Sequence, residues 1–164
     1  MSNRQPLAQR AEQLIKDYAF GSSLTGFIPI PLLDTVGLIG VQRVMLMRLS
    51  KLYGVPFSKH LAKAWISTLM TGLAPKAATP LVGSMLKLIP GVGTLAGGAT
   101  TAALGGASTY AIGKVFQQHF EQGGTLEDFD PDKAKGSFVE AFHEGTQVQS
   151  QPPNLKQKLT GRPR

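Results

Sequence analysis

Apolar positions along the chain recur mostly at helical spacing, and runs that alternate apolar and polar at period two are almost absent. Residues 6–20 carry the first helical pattern. "FIPIPLLD" then predicts a broken connection, because Pro29 and Pro31 each remove a backbone donor and restrict the residue before them. Asp34 is the expected N-cap of a helix running to Tyr53, with Gly54 placed at the left-handed C′ position. That helix is apolar on most sides, with Arg43, Arg48 and Lys51 along one arc. The pattern over 57–72 puts Phe57, Leu61, Trp65 and Leu69 in one i+4 row, with Lys59, His60, Lys63 and Ser67 on the other side, which predicts a basic amphipathic helix. Trp65 beside Lys59 and Lys63 suits a lipid headgroup boundary and a protein core equally.

"GLAPKAATP" predicts a turn-rich link, residues 81–89 a short apolar segment, and Pro90-Gly91 a punctuation before a long helix from about 92 to 121. Gly123 and Gly124 stop that helix, Asp130 and Pro131 open another, and Phe138 and Phe142 give it an apolar stripe before Gly145. From Thr146 onward aromatics and apolar periodicity are missing, so 146–164 is expected to be a disordered basic tail. The expected fold is all-α: one compact domain over 1–145, built from helical hairpins around a glycine-rich central helix.

That central stretch, 88–114, holds seven glycines and no charge before Lys114. Gly93, Gly97, Thr101, Gly105, Thr109 and Gly113 form a small-xxx-small row at i+4 spacing, and Thr94, Gly98, Ala102 and Gly106 form a second row beside it. Small side chains let another backbone come close, so the first row is the expected helix-packing face, for a neighbouring helix or a second copy of the chain. Each glycine costs an isolated helix about 0.8–1 kcal/mol relative to alanine, a loss that packing or lipid must offset. A phosphate-cradling role fits poorly. "GVGTLA" at Gly91–Ala96 resembles a dinucleotide turn, yet Pro90 precedes it and the first acid after it is Glu121. A Walker-type loop would need glycine where Ser108 stands and Ser or Thr where Val115 stands. The uncharged run is long enough to span a bilayer, but Gly, Ala, Ser and Thr make it only marginally insertable alone.

Charge sharpens the picture. The net charge of +7 is unevenly laid out: residues 1–34 balance, whereas 35–120 carry eight cations and no acid. Residues 121–145 then hold seven acids against Lys133 and Lys135. A long apolar block whose only charges are positive suits an anionic surface, and Arg43, Arg48, Lys51, Lys59 and Lys63 are its candidate contacts. The N-terminal twenty residues are charged throughout, so an export signal is not expected there. Cysteine is absent, which removes disulfides and thiolate metal sites.

Candidate chemistry is thin. His60, His119 and His143 are far apart and without metal-ligand spacing, so no metal ligand is assigned. Asp128, Asp130 and Asp132 alternate like a calcium loop, but Lys133 replaces the turn glycine and Val139 the closing Glu; an acidic helix N-terminus explains them better. No nucleophile elbow is present and acids avoid the central block, so neither catalytic residues nor cofactors are expected and the chain reads as a non-enzyme.

"LLDTVGLIGVQRVMLMRLSKLYGVPFSK" together with "MLKLIPGVGTLAGGATTAALGGASTYAIGKVFQQHFEQGGTLEDF" resembles a bacterial domain family of unknown function, found in YcjF-like inner-membrane proteins and C-terminal to some GTPase domains. The resemblance covers roughly 24–130 and is carried by Pro29, Pro31 and Asp34, by Tyr53-Gly54, by "KLIPGVG" at Lys87–Gly93 and by "TYAIGK" at Thr109–Lys114. It implies a helical, membrane-associated module working beside a GTPase. This chain has no GTP-binding motif, so that GTPase would be a separate protein. The expected role is recruitment or regulation of a partner, at a bacterial inner membrane or on its cytoplasmic face. The alternative is a cytoplasmic helical adaptor or a phosphate- or nucleic-acid-binding protein. Nucleic acid is disfavoured, because the cations are scattered among apolar residues and no aromatic platform accompanies them.

Overall fold

A computed structural model describes residues 6–25, 31–77 and 98–150 and places five helices among them, with no strand. They are α1 (Leu7–Thr25), α2 (Pro31–Tyr53), α3 (Lys59–Ala77), α4 (Gly98–Glu121) and α5 (Pro131–Ser150). The fold is an all-α bundle. Its centre is α4, in which every residue from Gly105 to Gly113 is buried. The large apolar side chains converge there: Ile15 from α1, Met45, Leu46 and Leu49 from α2, Ile66 and Leu69 from α3, and Phe138 from α5.

Helix ends follow local chemistry. Gly54 at φ +71° lets Val55 N–H reach Ser50 C=O at 2.8 Å and Gly54 N–H reach Lys51 C=O at 3.4 Å, the paired bonds of a Schellman cap. Gly123 at φ +85° repeats the device, with Gly124 N–H to His119 C=O at 2.9 Å and Gly123 N–H to Phe120 C=O at 3.0 Å. Ser58 caps α3 by accepting from Leu61 N–H at 3.4 Å, and Asp130 caps α5 by accepting from Asp132 and Lys133 N–H at 3.0 and 3.3 Å.

Three boundaries differ from the sequence reading. Helix α2 starts at Pro31, so Asp34 lies inside its first turn and is not the N-cap. Proline at the first helical position loses no hydrogen bond and brings a helical φ with it. Helix α3 runs across Gly72 and Pro75 to Ala77, where a link was expected, because its buried row of Ala62, Ile66 and Leu69 is docked in the core. Helix α5 passes through Gly145 to Ser150, which takes residues 146–150 out of the expected tail. Residues 92–97 of the expected long helix, and 151–164 of the tail, lie outside the described residues.

Partners across the bundle fix the directions. Leu38 and Gln42 of α2 meet Gly105 and Thr109 of α4, and Tyr53 meets Glu121, so these two helices run parallel. Ser22, Ile15 and Ala8 of α1 meet Gly105, Gly113 and Gln117 in turn, an antiparallel pair. Helix α5 is antiparallel to α4 as well, through Gln149 beside Gly106 and Glu144 on Tyr110. An aromatic group closes the end where α2 turns into α3 and α4 into α5. Phe116 stacks on Phe129 at 4.3 Å, Trp65 lies 6.0 Å from Phe129, and Tyr53 lies 6.1 Å from Phe120.

Candidate functional site

The small-residue face of α4 is a contact between helices wherever it is described. A Cβ on Gly105 would sit 3.6 Å from Ser22 O of α1 and 3.7 Å from Leu38 Cδ1 of α2. One on Gly113 would sit 2.7 Å from Ile15 Cγ1 and Cγ2. Thr109, between them, donates from Oγ1 to Ser22 Oγ at 3.0 Å and accepts from Gln42 Nε2 at 3.2 Å. Gly93 and Gly97 lie outside the described residues, as does the side chain of Thr101. The "GVGTLA" turn is outside them too.

At Gly106 the second small row meets both α1 and α5. A Cβ on Gly106 would collide with Ser23 Oγ and lie 2.6 Å from Gln149 Cδ, and Ser23 Oγ in turn donates to Gln149 Oε1 at 2.6 Å. Gly145 of α5 answers it: a Cβ there would stand 2.9 Å from Ala107 O and 3.0 Å from Ala107 Cα. Sequence reasoning took Gly145 for a helix stop and missed this role. The buried polar chain from Gln42 through Thr109 and Ser22 to Tyr18 O was missed as well, since nothing local pairs residues on three helices.

The five candidate cations differ in setting. Lys51, Lys59 and Lys63 are exposed, and Arg48 is exposed with its guanidinium 5.5 Å from the centre of the Tyr18 ring. Arg43 is half-buried, and its Nε meets no acceptor among the described residues. None of the five forms an ion pair among the described residues, whereas Lys16, Lys133 and Lys135 pair with Glu12, Asp130 and Asp132. Unpaired cations keep their full attraction for an external anion, within a Debye length of about 8 Å at physiological salt.

Charge is unevenly shared among the helices. Residues 31–77 carry six cations and one acid, Asp34, for a net +5; residues 114–150 carry three cations and seven acids, for a net −4. Helices α2 and α5 both pack on α4 and make no appreciable contact with each other, whereas α3 packs against both α2 and α5. Charge divides the bundle lengthwise too. Asp17, Arg43, Lys114 and Glu144 mark one level, held together by the Ile15–Gly113, Gln42–Thr109 and Tyr110–Glu144 contacts. Beyond it 18–25, 35–42, 98–113 and 145–150 contain no Asp, Glu, Lys or Arg.

Titratable groups elsewhere are structural. His119 Nε2 lies 2.8 Å from Thr125 O and 3.1 Å from Asp128 Oδ1, tying the end of α4 to the following loop. Bonds from the Thr125 amide and hydroxyl hold Asp128 below the usual carboxylate range, and the Lys133 and Asp132 amides do the same for Asp130. Burial, then the Glu121 carboxylate at 2.7 Å, push the Tyr53 hydroxyl up to about 12; burial and Glu144 raise Tyr110 in the same way. These phenols are donors to carboxylates. Among the described residues no three His, Asp or Glu converge to hold a metal ion, and no helix is long and apolar enough to cross a membrane. Trp65 is a packing residue: half-buried, its Nε1 donates to Leu126 O at 2.8 Å.

No solved structure matches the chain. It is 37% identical over 136 residues to a protein of Magnetospirillum gryphiswaldense named magnetosome membrane protein 22, an alignment that covers 82% of this chain and 70% of that protein. Residues 2–145 match the family described as domain of unknown function (DUF697), a match across most of the five helices, and the chain belongs to that family.

Proposed function

We propose that this protein is a non-enzymatic helical module that associates with a bacterial membrane and recruits or regulates a partner there. The observation that carries the reading is the basic layer of α2 and α3, with Arg43, Arg48, Lys51, Lys59 and Lys63 all left without an ion pair among the described residues. Anionic lipid is the natural ligand for such a layer, at about 1 kcal/mol per cation near the surface. The membrane location in the name of the Magnetospirillum relative supports the same reading. Because no described helix is long and apolar enough to cross, the association proposed is peripheral or interfacial, on the cytoplasmic face of the inner membrane. The partner class is a separate GTPase, supported by the resemblance to domains that occur beside GTPase domains; a second copy of this chain is the other candidate partner.

Cell fractionation tests the reading. The native protein is expected in the membrane pellet, released in part by a high-salt wash, together with any co-purifying GTPase. A protein recovered wholly in the supernatant at low salt refutes membrane association.

A further inference from the structure

The outward face of α2 is an amphipathic stripe of its own. Gly37, Val44, Met47, Arg48 and Lys51 are its exposed positions, with Gly40 and Val41 half-buried between them, all at the i, i+3, i+4, i+7 spacing of a single face. Val44 and Met47 are 40% and 42% exposed, although α2 supplies Met45, Leu46 and Leu49 to the core from its inner side. Helix α2 therefore presents apolar side chains in both directions. Its outer stripe is charge-free from Gly37 to Met47 and ends on two cations that form no ion pair among the described residues, and no acid follows Asp34 anywhere on α2 or α3. The stripe also crosses the level at which charge stops in α1, α4 and α5, with Asp34 in the first turn of α2 lying beyond it.

We propose that this face is the seat of an anionic phospholipid bilayer. Val44 and Met47 enter the headgroup–acyl boundary, and Arg48 and Lys51 bind lipid phosphates. Three observations select lipid as the occupant. The stripe from Gly37 to Lys51, about 21 Å at 1.5 Å per residue, exposes Val44 and Met47 beside Arg48 and Lys51, the apolar-and-basic face of a helix that lies about 5–10 Å deep in an interface. Its charge complements an anionic surface, since Arg48 and Lys51 are exposed and no acid follows Asp34 on α2 or α3. Neighbouring α1 adds Tyr18 beneath Arg48, an amphipathic ring at the same level as the cation.

The assignment rests on the membrane reading above, and the experiment separates the two. The chain lacks cysteine, so Val44→Cys, Met47→Cys and, on the exposed surface of α5, Ser137→Cys each give one labelling site for an environment-sensitive nitrobenzoxadiazole probe. Full-length protein is mixed with vesicles of equal parts phosphatidylcholine and phosphatidylglycerol, or of phosphatidylcholine alone, and floated on a density gradient. Flotation with the anionic vesicles is expected, with a blue shift and brightening at 44 and 47 and none at 137. The Arg48→Gln, Lys51→Gln pair is expected to lower the partition coefficient about 25-fold, at about fivefold per cation. The Lys59→Gln, Lys63→Gln pair is expected to lower it less. Flotation with unchanged probes at 44 and 47, or a greater loss from the α3 pair, overturns this face while leaving membrane association standing. Failure to float overturns both. A lipid-free blue shift at 47 that grows with protein concentration overturns lipid in favour of a second copy.

Discussion

Two glycines of α5 should respond to one substitution with opposite signs. Gly136 and Gly145 both lie in the helix, neither with positive φ, so alanine relieves the same backbone entropy at each, worth about 0.8–1 kcal/mol. At Gly136 the added methyl meets nothing within 4 Å, and the gain should appear almost in full. At Gly145 it would stand 2.9 Å from Ala107 O, 3.0 Å from Ala107 Cα and 3.1 Å from Tyr110 Cβ. Two of those atoms belong to the α4 backbone and the third is the first side-chain atom of a fully buried tyrosine, so no rotamer change makes room. The helices must part, and overpacking of this kind costs about 1–3 kcal/mol. Gly145→Ala should thus lose up to about 2 kcal/mol net, while Gly136→Ala gains nearly 1. Urea unfolding followed by far-ultraviolet circular dichroism measures both, and the sign of the midpoint shift relative to wild type decides. A Gly145→Ala midpoint equal to or above that of Gly136→Ala would refute the close approach of α4 and α5.

Other outcomes follow from single contacts. Gln42→Leu should be neutral or stabilising, because the buried Gln42 Oε1 meets no donor, while Ser108 and Thr109 keep bonds to Gly105 O and Ser22 Oγ; a loss above about 2 kcal/mol in the same assay contradicts this. Ser58→Ala removes the cap of α3 and should cost about 1 kcal/mol. Acid should loosen the loop between α4 and α5: Asp128 and Asp130 have depressed folded-state pKa values, so their contribution is complete above the ordinary value of 3.8 and is lost as pH falls through the lower folded value. Melting temperatures at neutral and acid pH should differ less for the Asp128→Asn, Asp130→Asn variant than for wild type; an unchanged difference refutes it.

Which parts of this architecture were readable in advance depended on how local their cause is. Gly54 and Gly123 were legible as helix stops because each cap needs positive φ, which glycine alone adopts freely, and Asp130-Pro131 was legible as a start for equally local reasons. Gly145 was misread. In sequence a glycine that ends a helix and one that lets two helices touch look alike, and only the position of Ala107 and Tyr110 on another helix separates them. Pro31 was similarly ambiguous, since proline breaks a helix inside it and favours one at its first position. The stripe of small residues on α4 could be seen, but which helices it meets, α1 and α2 at Gly105 and α1 and α5 at Gly106, could not. The cations were visible one by one; that Arg43, Arg48, Lys51, Lys59 and Lys63 form no ion pair among the described residues is a property of the packing.

The indole of Trp65 has a consequence for how the molecule can be watched. It is the only tryptophan in the chain, and it touches the loop between α4 and α5 through Leu126 O and Phe129. Its emission therefore senses whether α3 remains seated on that loop, at the aromatic end of the bundle, and is blind to the glycine contacts at the far end. Native fluorescence and circular dichroism will coincide on melting only if both ends come apart together; a separation between the two traces would time the opening of one end against the other without any label.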